Sequence, residues 1–343
     1  MEHPIRRPAI PMGDFRPLLP LLGAALMACN IWGLASPVPT PTDRAEDAVS
    51  GKRCGDGVCD GPETADTCPA DCSAAPAGEI SPGTEENTFW MVNPASGAQL
   101  YIVVTYPESG SPRPLPAVVL IPGGLGTKEP LNGTEPDAAS LAAAGYAAIQ
   151  FDADGRGASQ GEEDYNGFIH QDGLAALILA AGQLPGVDPD RLGVISRSYG
   201  VTMAAGALGR HPELPVRFYI DWEGPADRDD TTVGCGDENI TGNWPSCTDE
   251  AFWAQREAVR FIGALRTSYL RIQSASDHVQ TTNAHAVDMV NAAVQGGVPW
   301  VRLNDGPVNR TYDPADPPEM LPDTADRNMS DMFVRYAEEL FAL

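Results

Sequence analysis

At 343 residues the chain exceeds what one hydrophobic core usually organises, so one large domain with appendages, or two domains, is the starting expectation. A formal net charge of -25 sets nucleic acid and anionic lipid surfaces aside as partners, because binding to either depends on Lys and Arg neutralising phosphate. The apolar content is that of a soluble globular protein, and the acidity reads most simply as a solubility device.

In chain order, residues 1–29 combine Arg6, Arg7 and Arg16 with an apolar run from Leu18 to Ala28. That run is too short for a membrane helix and right for an export signal. It ends in Leu26-Met27-Ala28-Cys29, which resembles the lipobox of bacterial lipoproteins. The resemblance implies lipidation of Cys29 and tethering in the cell envelope, with cleavage near Ala28 or Ala35 and secretion as the alternative. Membrane contact is expected only through that anchor.

Setting Cys29 aside leaves Cys54, Cys59, Cys68, Cys72, Cys235 and Cys247, an even set suited to disulfides in an oxidising compartment. Two bridges within the first four, of open connectivity, and one between Cys235 and Cys247 are expected. Residues 30–53, with SPVPTPTDRAEDAVS at 36–50, read as a flexible tether. Residues 54–72, CGDGVCDGPETADTCPADC, have almost nothing apolar to bury, so crosslinks or an ion must hold them in shape. They resemble short Cys-rich repeats of secreted proteins. Asp56, Asp60, Glu63, Asp66 and Asp71 offer oxygen ligands suited to a structural Ca²⁺, although a stapled acidic knot without metal is the simpler reading. Residues 73–86 form a second linker.

From residue 87 to the C-terminus the pattern changes to apolar strands alternating with amphipathic helices. FWMVNP and QLYIVVTYP read as an antiparallel pair, and AVVLIPG as a buried strand. A helix near 135–144, strand AAIQFD, a helix near 170–184, strand LGVISR and a helix from Tyr199 follow. Strand VRFYIDW, a loop-rich stretch at 224–249, a helix from Glu250, strand YLRIQSA, a helix near 282–295, strand WVRLND and a last helix complete the chain. The expected fold class is α/β, a doubly wound, mostly parallel eight-stranded sheet with a small disulfide-rich N-terminal segment.

The strongest chemical signal is Ile195-Ser196-Arg197-Ser198-Tyr199-Gly200, where a strand turns into a helix. A serine at such an apex exposes its hydroxyl above the sheet and has the next backbone N–H facing a developing oxyanion. With PGGLG at 122–126, FDADGRGASQG at 151–161 and VDPDRLGVISRSYG before the turn, residues 87–343 resemble the α/β-hydrolase superfamily. The dienelactone-hydrolase and prolyl-oligopeptidase-like branches are the most similar.

The resemblance implies Ser198 as nucleophile, the Tyr199 N–H and the Gly124 or Leu125 N–H as oxyanion donors, and Asp277 as the acid orienting the base. It requires a histidine after the last strand, where LNDGPVNRTYD puts Asn309, an amide that cannot serve as base. Five histidines exist. His3 lies in the signal, His211 at the far end of the elbow helix, and His285 on a helix whose rise carries it away from the catalytic edge. His278, next to Asp277, is preferred as base; His170 is the alternative. If His278 is the base, Asp221 or Glu223 is an alternative acid, because adjacent side chains often diverge. Trp222, Trp244 and Trp253 are candidates to line an acyl or aromatic pocket beneath the loop clipped by Cys235 and Cys247, with core packing the competing role.

Two readings follow. One is a serine hydrolase of small esters or acyl compounds, requiring no cofactor. The other is a binding protein that keeps the fold without the base. No dinucleotide fingerprint, P-loop or zinc cluster supports a cofactor enzyme.

Overall fold

The computed structural model describes residues 68, 76–108, 113–127, 138–232, 234–235, 245–280, 282–322 and 329–343. The expected signal and tether, the expectations for Cys29, Cys54, Cys59 and Cys72, the calcium reading and Trp244 lie outside them. Cys68 is buried and disulfide-bonded.

The described residues form a nine-stranded sheet in the order β1-β2-β3-β5-β4-β6-β7-β8-β9. Strands β1 (Ile80–Pro82), β2 (Thr88–Val92) and β3 (Gln99–Thr105) make an antiparallel edge, and β3 pairs antiparallel with β5 (Ala147–Phe151). Strands β5, β4 (Leu115–Ile121), β6 (Val187–Arg197), β7 (Val216–Trp222), β8 (Ser268–Ile272) and β9 (Val301–Leu303) then run parallel. The ninth strand is β1, inside the stretch expected to be linker. Three residues are too few to show a sequence period, and its pairing with β2 is what fixes it.

The parallel strands are apolar on both faces because helices cover both. Ala117, Val119 and Val194 face one layer. It is built from α2 (Phe168–Ala180), α3 (Gly200–Arg210), α6 (Ala258–Ile262) and α7 (Ala284–Gln295). Val118, Leu120, Ile195 and Trp222 face the other, built from α1 (Ala138–Ala143) and α8 (Ser330–Phe341). Two short helices, α4 (Arg228–Thr231) and α5 (Glu250–Trp253), occupy the stretch between β7 and α6. The Cys235–Cys247 disulfide closes part of it as expected.

Because β6, β7 and β8 are parallel neighbours, their carboxyl ends lie side by side at one edge. The register sets Ser196 beside Asp221 and Asp221 beside Arg271. The residues that follow these strands are therefore delivered to one place.

Candidate active site

At the end of β6 the backbone of Ser198 adopts φ +49°, a left-handed conformation uncommon away from glycine, and its N–H donates to the Trp222 carbonyl at 2.8 Å. The turn leads directly into α3. Glycine is needed at 200, since a Cβ there would stand 2.5 Å from the Pro122 carbonyl oxygen. Ser196, where a first glycine is more usual, is buried, and its hydroxyl shares a 2.7 Å hydrogen bond with that of Tyr219.

The loop after β4 runs against this turn: a Cβ on Gly123 would lie 3.1 Å from Ser198 Cβ. It is closed by Gly126 N–H donating to the Gly123 carbonyl at 3.1 Å, with Gly124 at φ +57°. The candidate donors Gly124 and Leu125 thus belong to a turn beside the serine, and Tyr199 follows it at the start of α3.

His278, in the loop after β8, has its ring nitrogen Nε2 2.9 Å from Ser198 Oγ. Its Nδ1 lies 3.1 Å from Glu223 Oε2 and 3.4 Å from Asp277 Oδ1. The nearer carboxylate is Glu223, which directly follows β7, is buried, and holds φ +51°. The other Glu223 oxygen accepts the Ser274 N–H at 3.0 Å and meets the Ser274 hydroxyl, so the carboxylate is fixed from behind. Hydroxyl, imidazole and carboxylate come from three adjacent strand ends and make one hydrogen-bonded chain.

Asp277, expected to orient the base, is the farther of the two carboxylates from His278 Nδ1 and has other partners. Asp277 Oδ1 accepts the N–H groups of Val279 and Gln280 at 2.8 and 3.0 Å, and Oδ2 accepts the Gln273 amide at 2.9 Å. It therefore caps the turn that carries His278. Burial alone would raise its carboxyl pKa, but the His285 ring, the Gln273 amide and the two backbone donors outweigh burial and hold it well below the usual carboxylate range. Asp221, the remaining alternative acid, is committed to other partners. It is fully buried and accepts from Arg271 at 2.5 Å, from the Tyr269 hydroxyl at 3.1 Å and from Gly224 N–H at 3.2 Å.

His170 is spent on structure. It is fully buried, with Nε2 3.0 Å from the Asp154 carbonyl and Nδ1 3.2 Å from the Asn166 N–H. Nδ1 accepts from the Asn166 N–H, and Nε2, which also lies 3.2 Å from the Asp164 N–H, faces the Asp154 carbonyl, an arrangement with room for one ring proton and not two. Burial first, then the neighbouring Arg156 charge, push its pKa down to about 4. His211 caps the far end of α3 and lies 3.0 Å from Asp172.

His285 departs from expectation. The helix begins only at Ala284, and the preceding loop folds back, leaving His285 buried with Nε2 3.4 Å from Asp277 Oδ2. Asn309 lies on the edge of β9, giving its N–H to the Val301 carbonyl and taking the Val301 N–H on its side-chain oxygen, both at 2.7 Å. It substitutes for a strand neighbour. Trp222 is buried against Phe333 on the α8 face, and Trp253 is buried with its indole N–H bound to the Ser246 carbonyl at 3.1 Å.

No protein-family model and no curated protein matches this sequence. Solved structures do match in fold. A dipeptidyl peptidase 4 from Porphyromonas gingivalis aligns with a TM-score of 0.54 at 19% identity, covering 77% of this chain and 35% of that one. Est1E from Butyrivibrio proteoclasticus, solved with ferulic acid bound, aligns with a TM-score of 0.51 at 16% identity, covering 72% of this chain and 95% of that one. The chain has the α/β-hydrolase fold. It matches only about a third of the peptidase's length but nearly all of that of Est1E.

Proposed function

We propose that the protein is a serine hydrolase that cleaves carboxylic esters through an acyl-enzyme at Ser198. The observation that carries this reading is the 2.9 Å contact between His278 Nε2 and Ser198 Oγ, with Glu223 on the opposite ring nitrogen. Glu223 accepts Nδ1–H and so fixes the tautomer that leaves Nε2 free to take the serine proton. As Oγ adds to the ester carbonyl, that proton moves to Nε2, and the negative charge forms on the carbonyl oxygen. The N–H groups of Tyr199 and of Gly124 or Leu125 are the donors assigned to it, and such a donor commonly contributes a factor of about 10²–10³ in rate. His278 then passes the proton to the departing alkoxide. A water molecule, deprotonated by the same nitrogen, releases the acid and restores Ser198.

Esters are favoured over peptides because the similarity to Est1E spans 95% of that chain, whereas the peptidase carries most of its length outside the matched region. The same reading includes export, with Cys29 lipidated at the cell envelope, and no cofactor.

The test is steady-state hydrolysis of short-chain nitrophenyl esters and of an aminoacyl nitroanilide by the purified mature protein. Ser198→Ala and His278→Ala are expected to lower ester turnover by at least about 10³-fold. Glu223→Gln is expected to lower it by about 10²-fold or more. Ester turnover that survives Ser198→Ala would overturn the reading, and faster turnover of the anilide would overturn the substrate class.

A further inference from the structure

Behind the His278 loop lies a set of buried polar groups that the reaction above does not use. At its centre is the Arg271 guanidinium, fully buried near the end of β8. One nitrogen donates to Asp221 at 2.5 Å and to the Gly224 carbonyl at 2.7 Å. Gly224 directly follows Glu223. The other nitrogen donates to the Gln273 side-chain oxygen at 2.7 Å and to His285 Nδ1 at 2.9 Å.

These last two contacts fix what each partner does next. His285 Nδ1 lies 2.9 Å from the Arg271 N–H and 3.1 Å from the Gly224 carbonyl oxygen, which Arg271 already serves; with Nδ1 accepting from the guanidinium, which has no acceptor of its own, the ring proton is assigned to Nε2, 3.4 Å from Asp277 Oδ2. With its oxygen taken by Arg271, the Gln273 amide turns its N–H toward the same Asp277 oxygen, at 2.9 Å. Two arms from one guanidinium nitrogen therefore converge on one carboxylate oxygen. The opposite oxygen of that carboxylate sets the turn that begins at His278.

We infer that Arg271 and His285 are positioning residues that fix the separation of Glu223 and His278, Arg271 by tying the loop after β7 to the loop after β8 and His285 by holding Asp277. Neither touches Ser198 or a substrate. The inference rests on the proposed function in taking His278 as base, but the buried arrangement stands apart from any substrate. Its magnitude follows from geometry: hydrogen-bonded catalysis tolerates displacements of about 0.5 Å. A misplacement near 1 Å can cost about 10²-fold in rate.

The test compares His285→Leu, which removes the ring's contacts with Arg271 and Asp277, with His285→Gln, whose amide can accept from Arg271 and donate to Asp277. Each is measured for kcat and KM on a nitrophenyl ester, for Tm, and by proton NMR for the low-field Nδ1–H of His278, assigned by its loss in His278→Gln. In His285→Leu, kcat is expected to fall by about 10–10²-fold with KM within about threefold, and the low-field resonance to move or broaden. His285→Gln is expected to recover most of both.

A folded His285→Leu with kcat within twofold of the parent and an unmoved resonance would overturn the inference. So would a loss in His285→Leu that His285→Gln shares in full. Should His285→Leu fail to fold, Arg271→Lys carries the same test, since it keeps the charge and loses the fork. A parent enzyme without turnover would count against the proposed function, and the resonance would still decide the positioning role.

Discussion

His170 offers a test that separates structure from chemistry. Its Nδ1 accepts from the Asn166 N–H, while Nε2 faces the Asp154 carbonyl and the Asp164 N–H, so protonation would set Nδ1–H against another N–H at a buried site. The folded pKa accordingly lies near 4, against an ordinary 6.5. Between these values the unfolded chain binds the proton and the folded one does not, so stability rises with pH across that window. The contribution is fully present above about 6.5 and is lost as pH falls toward 4. Each pH unit inside the window is worth about 1.4 kcal/mol, which integrates to about 2 kcal/mol between pH 7 and pH 5 and about 3 kcal/mol by pH 4. His170→Gln removes the titrating group. The measurement is urea unfolding of parent and variant at half-unit steps from pH 4 to 7.5. The difference in unfolding free energy should narrow by about 2 kcal/mol as pH falls from 7 to 5. A pH-independent difference would refute the buried neutral histidine. The variant should still hydrolyse ester, because the ring is committed to the loop after β5; inactivity in a folded sample would return His170 to the list of bases.

Three further outcomes are expected. Gly200→Ala drives a methyl group to within 2.5 Å of the Pro122 carbonyl oxygen, so it should destabilise by about 1–3 kcal/mol in thermal or urea unfolding. Ser196→Ala leaves the buried Tyr219 hydroxyl without its 2.7 Å partner and should cost about 1–3 kcal/mol by the same assay. Cys235→Ser with Cys247→Ser releases a closure across a sequence separation of 12, worth about 3 kcal/mol of chain entropy, and limited proteolysis should then cut between residues 232 and 250 sooner than in the parent.

The layers of this fold were legible because their signals are local. Buried parallel strands read as apolar runs, and the elbow demands a small residue at 200 and a serine at its apex. Edge strand β1 escaped, since its three residues are defined by pairing with β2 rather than by their own pattern.

At the site, the scarcity of histidines narrowed the base to two candidates before any geometry was known. The choice between Asp277 and Glu223 was not local: Glu223 follows β7 and Asp277 follows β8, and which one lies nearer His278 depends on the Asp277 carboxylate turning back to cap its own loop. The same fold-back explains why His285, assigned by helical rise to a distant position, lies against Asp277. Asn309 stood near the place of the usual histidine in sequence, but β9 ends after three residues and the chain returns along its edge.

Ester hydrolysis by this protein depends on Ser198 being a nucleophile activated by His278. The decisive measurement is peptide mapping by mass spectrometry after reaction with a fluorophosphonate, on the parent and on His278→Gln. A single covalent adduct is expected on the peptide containing Ser198, formed at least about 10²-fold more slowly when His278 is replaced. A folded parent that takes no label, or label at Ser198 that forms equally fast without His278, would contradict that activation.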